Sequence, residues 1–582
     1  MLTGAGSLTG GIRLTRLRID KFRAIGLAEI ELGEATAIVG QNGAGKTSIL
    51  RALNAFFNFE EERADFEAGR HSYGGTHQTI IQVDIVGLAD DPALPRLDAT
   101  GTVRARLKYR RDARWECQVG PLWQPIHPQV LREALRKQIS YAFVPTQRDH
   151  SVAHDPAHGL LERVVGEWIT HNRQRDRISP EVELLGRKLV ANSLSGLERK
   201  LQKIAPLNGP FSFELRHSSV PDYKLLLANL VLSVKEGGQS IPLSDSGSGT
   251  QSMAVFALYA YLAEIESKAF ILGVEEPEQN LHPQAQQQLT KSLIGLGLQV
   301  LFTTHSPTVV DALDHEQVVL CRRIRGKKRA LEIQVTQVEK AFFSDHSLDK
   351  DKYYKFHRRR NSEFMFADFV IVTESPIDSV LLATLLEESG FDLVANGVNI
   401  VAVDGVNSLP YMYHILLELG IACAFVVDKD YFLPYRGPTR ESSLDTRGYP
   451  QYASVAKSGT LLNTLFPDAT QRSTIVKYLI QDADAARREL LKVGFFCFNY
   501  AIEVDLVGAK VPRERFHDFL GTPVANRTEF GLLGDKSQWK KLKNQEAMLT
   551  AISGLPPMNM PLSYLNIRRE IPKLVAAARP TV

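Results

Sequence analysis

Cysteine is scarce: the 582 residues hold four (Cys117, Cys321, Cys423, Cys497), far apart and in no Cys-x-x-Cys or Cys/His spacing. That excludes a disulfide framework and a thiolate zinc site, and it fits a reducing cytoplasm. Long hydrophobic runs are missing too. No stretch approaches the roughly 18 apolar residues of a membrane span, and no basic segment with an apolar core opens the chain. The expectation is a cytoplasmic protein, neither exported nor membrane-spanning. Charge of one sign is also lacking. A net charge of +3 permits nucleic-acid binding through local patches without demanding it. No fixed-period repeat or low-complexity tract interrupts the chain, which excludes a solenoid.

What is present is ordinary globular material, 44% hydrophobic and 23% charged, in a chain long enough for several domains. Residues 12–38 read as short strands (IRLTRLRI, LAEIELGEATAIVG) that run into GQNGAGKTS and then a helical pattern, SILRALNAFF. Gly40-Gln-Asn42-Gly43-Ala-Gly45-Lys46-Thr47 matches G-x-x-x-x-G-K-S/T in the strand–loop–helix setting that the motif requires. Its glycines let backbone amides curl round a phosphate, Lys46 reaches the terminal phosphates, Thr47 can ligate Mg²⁺, and Ser48 follows in the first helical turn. ATP with Mg²⁺ is the expected ligand.

Strands return over 78–120, and the pattern then turns helical and charged from about 127 to 205 (VLREALRKQI, LLERVVGEWITHN, LSGLERKLQKI). Such a block is either an arm for dimerisation or a subdomain that covers the sheet. Further on, FILGVEEP delivers Glu275 and Glu276 at a strand end. One carboxylate must hold the nucleotide's Mg²⁺ and the next can polarise the attacking water, so Glu275 is assigned to the metal and Glu276 to the general base. Ser246-Gly-Ser248-Gly249-Thr-Gln251 precedes a helix, and TTHSP places His305 at the end of a later strand. Gln147, in YAFVPTQRD, resembles the γ-phosphate-sensing Q-loop glutamine of ABC ATPases.

A second α/β pattern begins near 366, after a charged stretch (SDHSLDKDKYYKFHRRRNSE) poor in aliphatic residues. Its first strand ends VIVTES, placing Glu374, with Asp378 four residues on. Its third ends AFVVDKD, placing Asp428 and Asp430. Parallel strands put such ends along one edge, where α/β domains build their sites. Carboxylates gathered there repel unless cations neutralise them, so one or two Mg²⁺ or Mn²⁺ ions are expected. Asp404, ending the intervening strand, reads better as a turn residue than as a ligand. NYAIEVDL follows another apolar run and offers Glu503 and, behind it, Asp505 as ligands for a second ion. Phosphate attraction could come from Arg104, Arg106, Arg110, Arg111 and Arg114, or from Lys355 and Arg358–Arg360, although charge runs are usually solvated faces.

In this order the Gly40–Thr47 loop, the Ser248-Gly249 signature, Glu275-Glu276 and His305 resemble an ABC-type ATPase of the SMC, RecF and OLD (overcoming lysogenization defect) branch. That resemblance implies a head-to-head dimer of ATPase units or a higher homo-oligomer. The Glu374, Asp428-x-Asp430 pattern resembles the Toprim fold, with Ser375 where that family usually has glycine, just as Glu275 stands where an Asp is usual. Together they resemble the OLD endonucleases, in particular class 2 members such as the nuclease subunit of the Gabija anti-phage system.

The implied fold is α/β, with an SMC/RecF-like ATPase domain in two parts (1–126 and 209–343) around a helical dimerisation insertion (127–208). A charged linker (344–365), a Toprim nuclease domain (366–515) and a helical C-terminal region completing the nuclease site (516–582) follow. The implied activity is metal-dependent nicking or cutting of DNA, regulated by ATP binding or hydrolysis, in anti-phage defence or DNA repair. The Gabija pattern adds inhibition by nucleotide and a UvrD-type helicase partner. It also implies a catalytic lysine beyond the last acid, for which Lys543 is the first choice and Lys536 the second. The competing reading is a RecF/SMC-like ATP-dependent DNA clamp without nuclease activity, which predicts loss of one of Glu374, Asp428 or Asp430. All three are present.

Overall fold

The computed structural model describes residues 11–73, 77–146, 156–171, 175–188, 232–236, 239–266, 268–279, 281–295, 297–324, 332–357, 362–403 and 405–578. The chain divides into two compact units. One comprises Met1–Ile38 and Gly45–Val309, the other Val39–Ala44 and Val310–Val582.

In the first unit, β1 (Arg13–Phe22), β2 (Ile25–Glu31), β4 (Thr79–Val86), β5 (Val103–Tyr109), β6 (Ala113–Val119) and β7 (Leu122–Ile126) form an antiparallel run in the order β7–β6–β5–β4–β1–β2. Leu14, Leu17 and Ile19 of β1 and Ile81, Val83 and Ile85 of β4 are fully buried, the alternation expected of strands with one face inward. A second run joins β3 (Ala35–Gly40), β12 (Gln299–Thr304), β11 (Ala269–Glu275) and β8 (Ile139–Val144), with β11 parallel to both of its neighbours. Every residue of β3, β11 and β12 is buried, which is why these segments read as continuous apolar runs rather than alternating ones. The helix Lys46–Phe57 buries Ile49, Leu50 and Leu53, and Tyr141 of β8 donates to the Leu50 carbonyl at 2.9 Å.

Strand β8 corrects the sequence reading, which made 127–205 helical. Ile139, Tyr141 and Val144 are the buried residues, an uneven spacing, and six residues flanked by helical patterns (Pro128–Arg136 and Pro156–His171) are too few to show a strand period. Gln147 and Asp404 lie outside the described residues. A short hairpin, β9 (Ser233–Glu236) with β10 (Gln239–Pro242), precedes the helix Ser248–Glu266.

In the second unit, β13 (Val318–Ile324) pairs antiparallel with β14 (Glu332–Gln337). The stretch read as a charged linker holds the helix Lys350–His357, whose Tyr353 and Tyr354 are buried, Tyr353 with its hydroxyl 2.8 Å from His315 Nε2. A four-stranded parallel sheet follows, β16 (Val398–Ala402), β15 (Phe369–Thr373), β17 (Ala422–Val427) and β18 (Phe495–Cys497), in that spatial order. Helices Pro376–Glu387 and Leu562–Ala578 contribute Leu381, Leu385, Tyr564 and Ile571 to the core that buries Ile371, Ala424 and Phe496. Parallel order brings the C-terminal ends of β15, β17 and β18 to one edge. Among the described residues no helix is long and apolar enough to cross a membrane.

Candidate functional site

Gly40, Gly43 and Gly45 adopt φ of 140°, 71° and 87°, which bend the chain between β3 and the helix that starts at Lys46. Lys46 Nζ lies 3.5 Å from His305 Nδ1, and His305 Nε2 lies 3.3 Å from Glu276 Oε1, so the loop lysine, His305 and the candidate base form a chain. Burial, and then the neighbouring Lys46 charge, lower the His305 pKa and favour a neutral imidazole. Glu275 ends β11 buried, its Oε2 accepting from the Thr146 amide at 3.3 Å. Its Oε1 is buried with no hydrogen-bond partner among the described residues, the kind of orphaned acceptor that a hydrated Mg²⁺ satisfies.

Glu276 has φ of 41°, a left-handed conformation that costs a non-glycine residue roughly 1–3 kcal/mol. Its amide is held by both the carbonyl and the hydroxyl of Thr303, each at 3.1 Å. Ser48 is buried behind the loop. Ser248 opens the helix Ser248–Glu266, and Gly249 lies against the end of the Leu281 side chain. Two residues that the sequence did not single out also belong to this site: Thr146, beside Glu275, and Glu278, beside His305.

At the second site Glu374 follows β15 directly and the helix starts at Pro376. Ser375 is that helix's N-cap: its Oγ accepts from the Asp378 amide at 3.3 Å, and Asp378 Oδ2 accepts from the Ser375 amide at 3.0 Å. This reciprocal cap accounts for serine in the usual glycine position and turns Asp378 back toward Glu374. Glu374, Asp428 and Asp430 each offer an oxygen within 4.8 Å of the others. Their placement is fixed by protein donors: the Asp428 amide to Glu374 Oε1 (3.0 Å), the Ile502 amide to Asp428 Oδ1 (2.9 Å) and the Tyr435 hydroxyl to Asp430 Oδ2 (3.1 Å). Tyr435 is a further member that no sequence signal marked.

Lys543 Nζ stands 3.8 Å from Asp428 Oδ2 and 3.6 Å from Glu503 Oε2. Glu503 is almost fully buried, and that oxygen has no hydrogen-bond partner among the described residues. Burial, and then Asp430, push the Glu374 pKa up to about 8. Burial, and then Glu374, hold Asp428 well above the carboxylate range. Asp378 is pushed up to about 6, chiefly by burial. The Lys543 pKa is raised as well, first by Glu503, which favours its charged form. These are crowded, poorly solvated carboxylates of the kind that bind hard divalent cations, and the residues present fit such ions.

Two candidates sit elsewhere. Asp505 turns away from the cluster and accepts from the Asn499 and Tyr500 amides (2.8 and 2.9 Å) and the Ser563 hydroxyl (2.6 Å), bracing the loop to the last helix. Lys536 is exposed, and its charge acts on Glu441. Of the arginine patch, Arg104 is held by Asp84 and Arg106 by Glu116, both at 2.7 Å, and Arg114 by Asp112 at 2.8 Å, which removes most of its free charge. Arg358–Arg360 lie outside the described residues.

An AAA ATPase domain model matches residues 13–89 and 175–310, and an overcoming lysogenization defect protein-like TOPRIM domain model matches residues 365–430. The chain is 24% identical over 481 residues to the Old nuclease of Escherichia phage P2, covering 72% of this chain and 78% of that protein. It is also 24% identical over 461 residues to the OLD nuclease of Thermus scotoductus, covering 72% and 82%. Among solved structures, the SMC head domain from Thermotoga maritima aligns with 56% of this chain and 99% of its own at 16% identity, with a TM-score of 0.31, too slight a likeness to bear on the fold.

Proposed function

We infer that this member of the OLD family, a Toprim-type nuclease with an AAA-type ATPase domain, is a divalent-metal-dependent DNA endonuclease whose cutting answers to ATP. The observation that carries this reading is the Glu374, Asp428, Asp430 cluster, complete at the strand ends and faced by Lys543. Glu374, Asp428 and Asp430 would hold one ion, and Glu503 with Asp378 a second. Divalent ions there would supply an activated water and stabilise the entering and leaving oxygens of phosphodiester cleavage. The chain's own residues do the rest. Tyr435, Ile502 and the Asp428 amide orient the carboxylates, and Lys543 brings a fixed positive charge to meet negative charge developing on the phosphate. By the family resemblance the reading extends to a pairing of ATPase units, to anti-phage defence or DNA repair, and to a UvrD-type helicase as partner.

Coupling to ATP is supported by a set of bonds from the phosphate loop to the base of the nuclease sheet. Gln41 Nε2 donates to Asp368 Oδ1 (2.8 Å) and to the Phe366 carbonyl (3.2 Å), and Arg323 Nε donates to the Gly43 carbonyl (3.1 Å). The adjacent Arg322 donates to the Asp368 carbonyl (3.1 Å) and the Gly420 carbonyl (2.6 Å). Asp368 leads into β15 and Gly420 into β17, the strands whose far ends carry Glu374 and Asp428. A rearrangement of the loop on binding nucleotide therefore has a direct route to both strands.

One experiment tests both halves of the reading: nicking of supercoiled plasmid in Mg²⁺ or Mn²⁺, with and without ATP, by the wild type and Asp368→Ala. Open-circular product is expected with metal and none in EDTA. ATP is expected to change the wild-type rate more than that of Asp368→Ala, which removes one of these bonds, at equal basal rates. No nicking in any divalent metal contradicts the nuclease, and a full ATP response in Asp368→Ala contradicts the route.

A further inference from the structure

Glu278 is a buried carboxylate that nothing in the catalytic scheme so far employs. It stands two residues beyond Glu276, in the turn closed by the Gln279 amide on the Glu276 carbonyl (3.1 Å). Its Oε1 accepts two bonds from the end of β12, from the Thr304 hydroxyl at 2.5 Å and from the backbone amide of His305 at 3.1 Å. Thr304 Oγ1 in turn accepts from the Ser306 amide at 3.0 Å. A reverse tie runs from Thr303, one residue earlier on β12, which holds the Glu276 amide. The two strand ends are therefore clasped reciprocally, β12 gripping the base and the turn after β11 gripping the histidine.

We propose that Glu278 is a positioning residue for ATP hydrolysis, seating His305 against the candidate base Glu276. The proposal rests on the reading of Glu276 and His305 as the hydrolytic pair. His305 has little else to hold it. Its backbone lies past the end of β12, and its side chain spans Lys46 and Glu276 at 3.5 and 3.3 Å, contacts too long to fix an imidazole by themselves. The bond from Glu278 to the His305 amide is the tie nearest its Cα. A displacement of about 1 Å at a reacting centre is enough to cost on the order of 10²-fold in rate. The role needs an acceptor oxygen rather than a charge, since Oε2 is buried and without a hydrogen-bond partner among the described residues.

The acceptor requirement separates two variants. Glu278→Gln keeps an acceptor oxygen in place, whereas Glu278→Ala removes it. Glu278→Ala is expected to lower kcat for ATP hydrolysis about 10- to 100-fold with KM for ATP within about twofold, and Glu278→Gln to stay within about twofold of wild type in both. A second readout does not depend on turnover. The His305 imidazole, assigned in NMR spectra by its absence from His305→Asn, should titrate below the ordinary histidine range in wild type and Glu278→Gln. It should move up toward that range in Glu278→Ala as it leaves its seat. An unchanged His305 titration in Glu278→Ala would overturn the proposal, as would kcat and ATP affinity lost in parallel by both variants, the mark of a merely structural carboxylate. A wild type that hydrolyses no ATP while the titration follows the variants would instead overturn the hydrolytic reading and leave the seating of His305 supported.

Discussion

Asp428→Asn is expected to reduce plasmid nicking by roughly 10³-fold or more while making the metal-free protein more stable. The side-chain carbonyl of asparagine can still accept from the Ile502 amide, so the local fold persists. What disappears is a charge that binds cations and, without them, repels its neighbours. The pKa values fix the direction with pH. Burial, and then Glu374, raise the Asp428 pKa, and Glu374 itself is pushed up to about 8 and Asp378 to about 6. A raised carboxylate means that the folded state binds more protons than the unfolded state, so stability falls as pH rises from the ordinary carboxylate range through the raised values. The metal-free wild type should accordingly lose melting temperature between about pH 4 and pH 8, by on the order of 5 °C. Asp428→Asn should lose less, and Mn²⁺ should restore the wild type but not the variant. A variant that nicks at the wild-type rate, or that is destabilised across the whole range, would contradict this account of the cluster.

Lys543→Ala is expected to slow nicking about 10²- to 10³-fold, the usual effect of removing one pre-placed positive donor from a developing oxyanion. Its ammonium lies against Asp428 and Glu503 although the side chain is 44% exposed, so it is anchored by charge rather than by burial. In the metal-free protein the same lysine offsets the crowded carboxylates. Lys543→Ala should therefore lower the melting temperature at pH 8, where Asp428→Asn raises it. Lys536→Ala should nick at the wild-type rate, since Lys536 is solvent-exposed near Glu441. Equal losses in the two lysine variants would show that both act through general attraction of DNA and not at the cleaved phosphate.

Glu374, Asp378, Asp428 and Asp430 were legible in the sequence because each is set by local chemistry, a strand end, a helix start and an i+4 return. The phosphate loop was legible for the same reason. Lys543 was not: it arrives from a helical region far downstream, and only family resemblance pointed to it. Asp505 looked like Glu503 two residues away, yet a helical register puts it on the other side, facing Ser563. Glu278 was one acid in the string EEPE, and nothing in the string says which carboxylate is buried. The Gln41–Asp368 bond joins residues 327 apart, and no pattern of spacing announces such a contact. The strand Ile139–Val144 escaped because it is short, flanked by helical stretches, and buries its residues at uneven spacing rather than in strict alternation.

Anomalous diffraction from crystals soaked in Mn²⁺ shows whether Glu374, Asp428 and Asp430 hold a divalent ion. A manganese peak is expected among those three carboxylates in the wild type, and its loss in Asp428→Asn. Wild-type crystals with manganese at the Thr47 and Glu275 site but none at the Toprim cluster would contradict a metal site there.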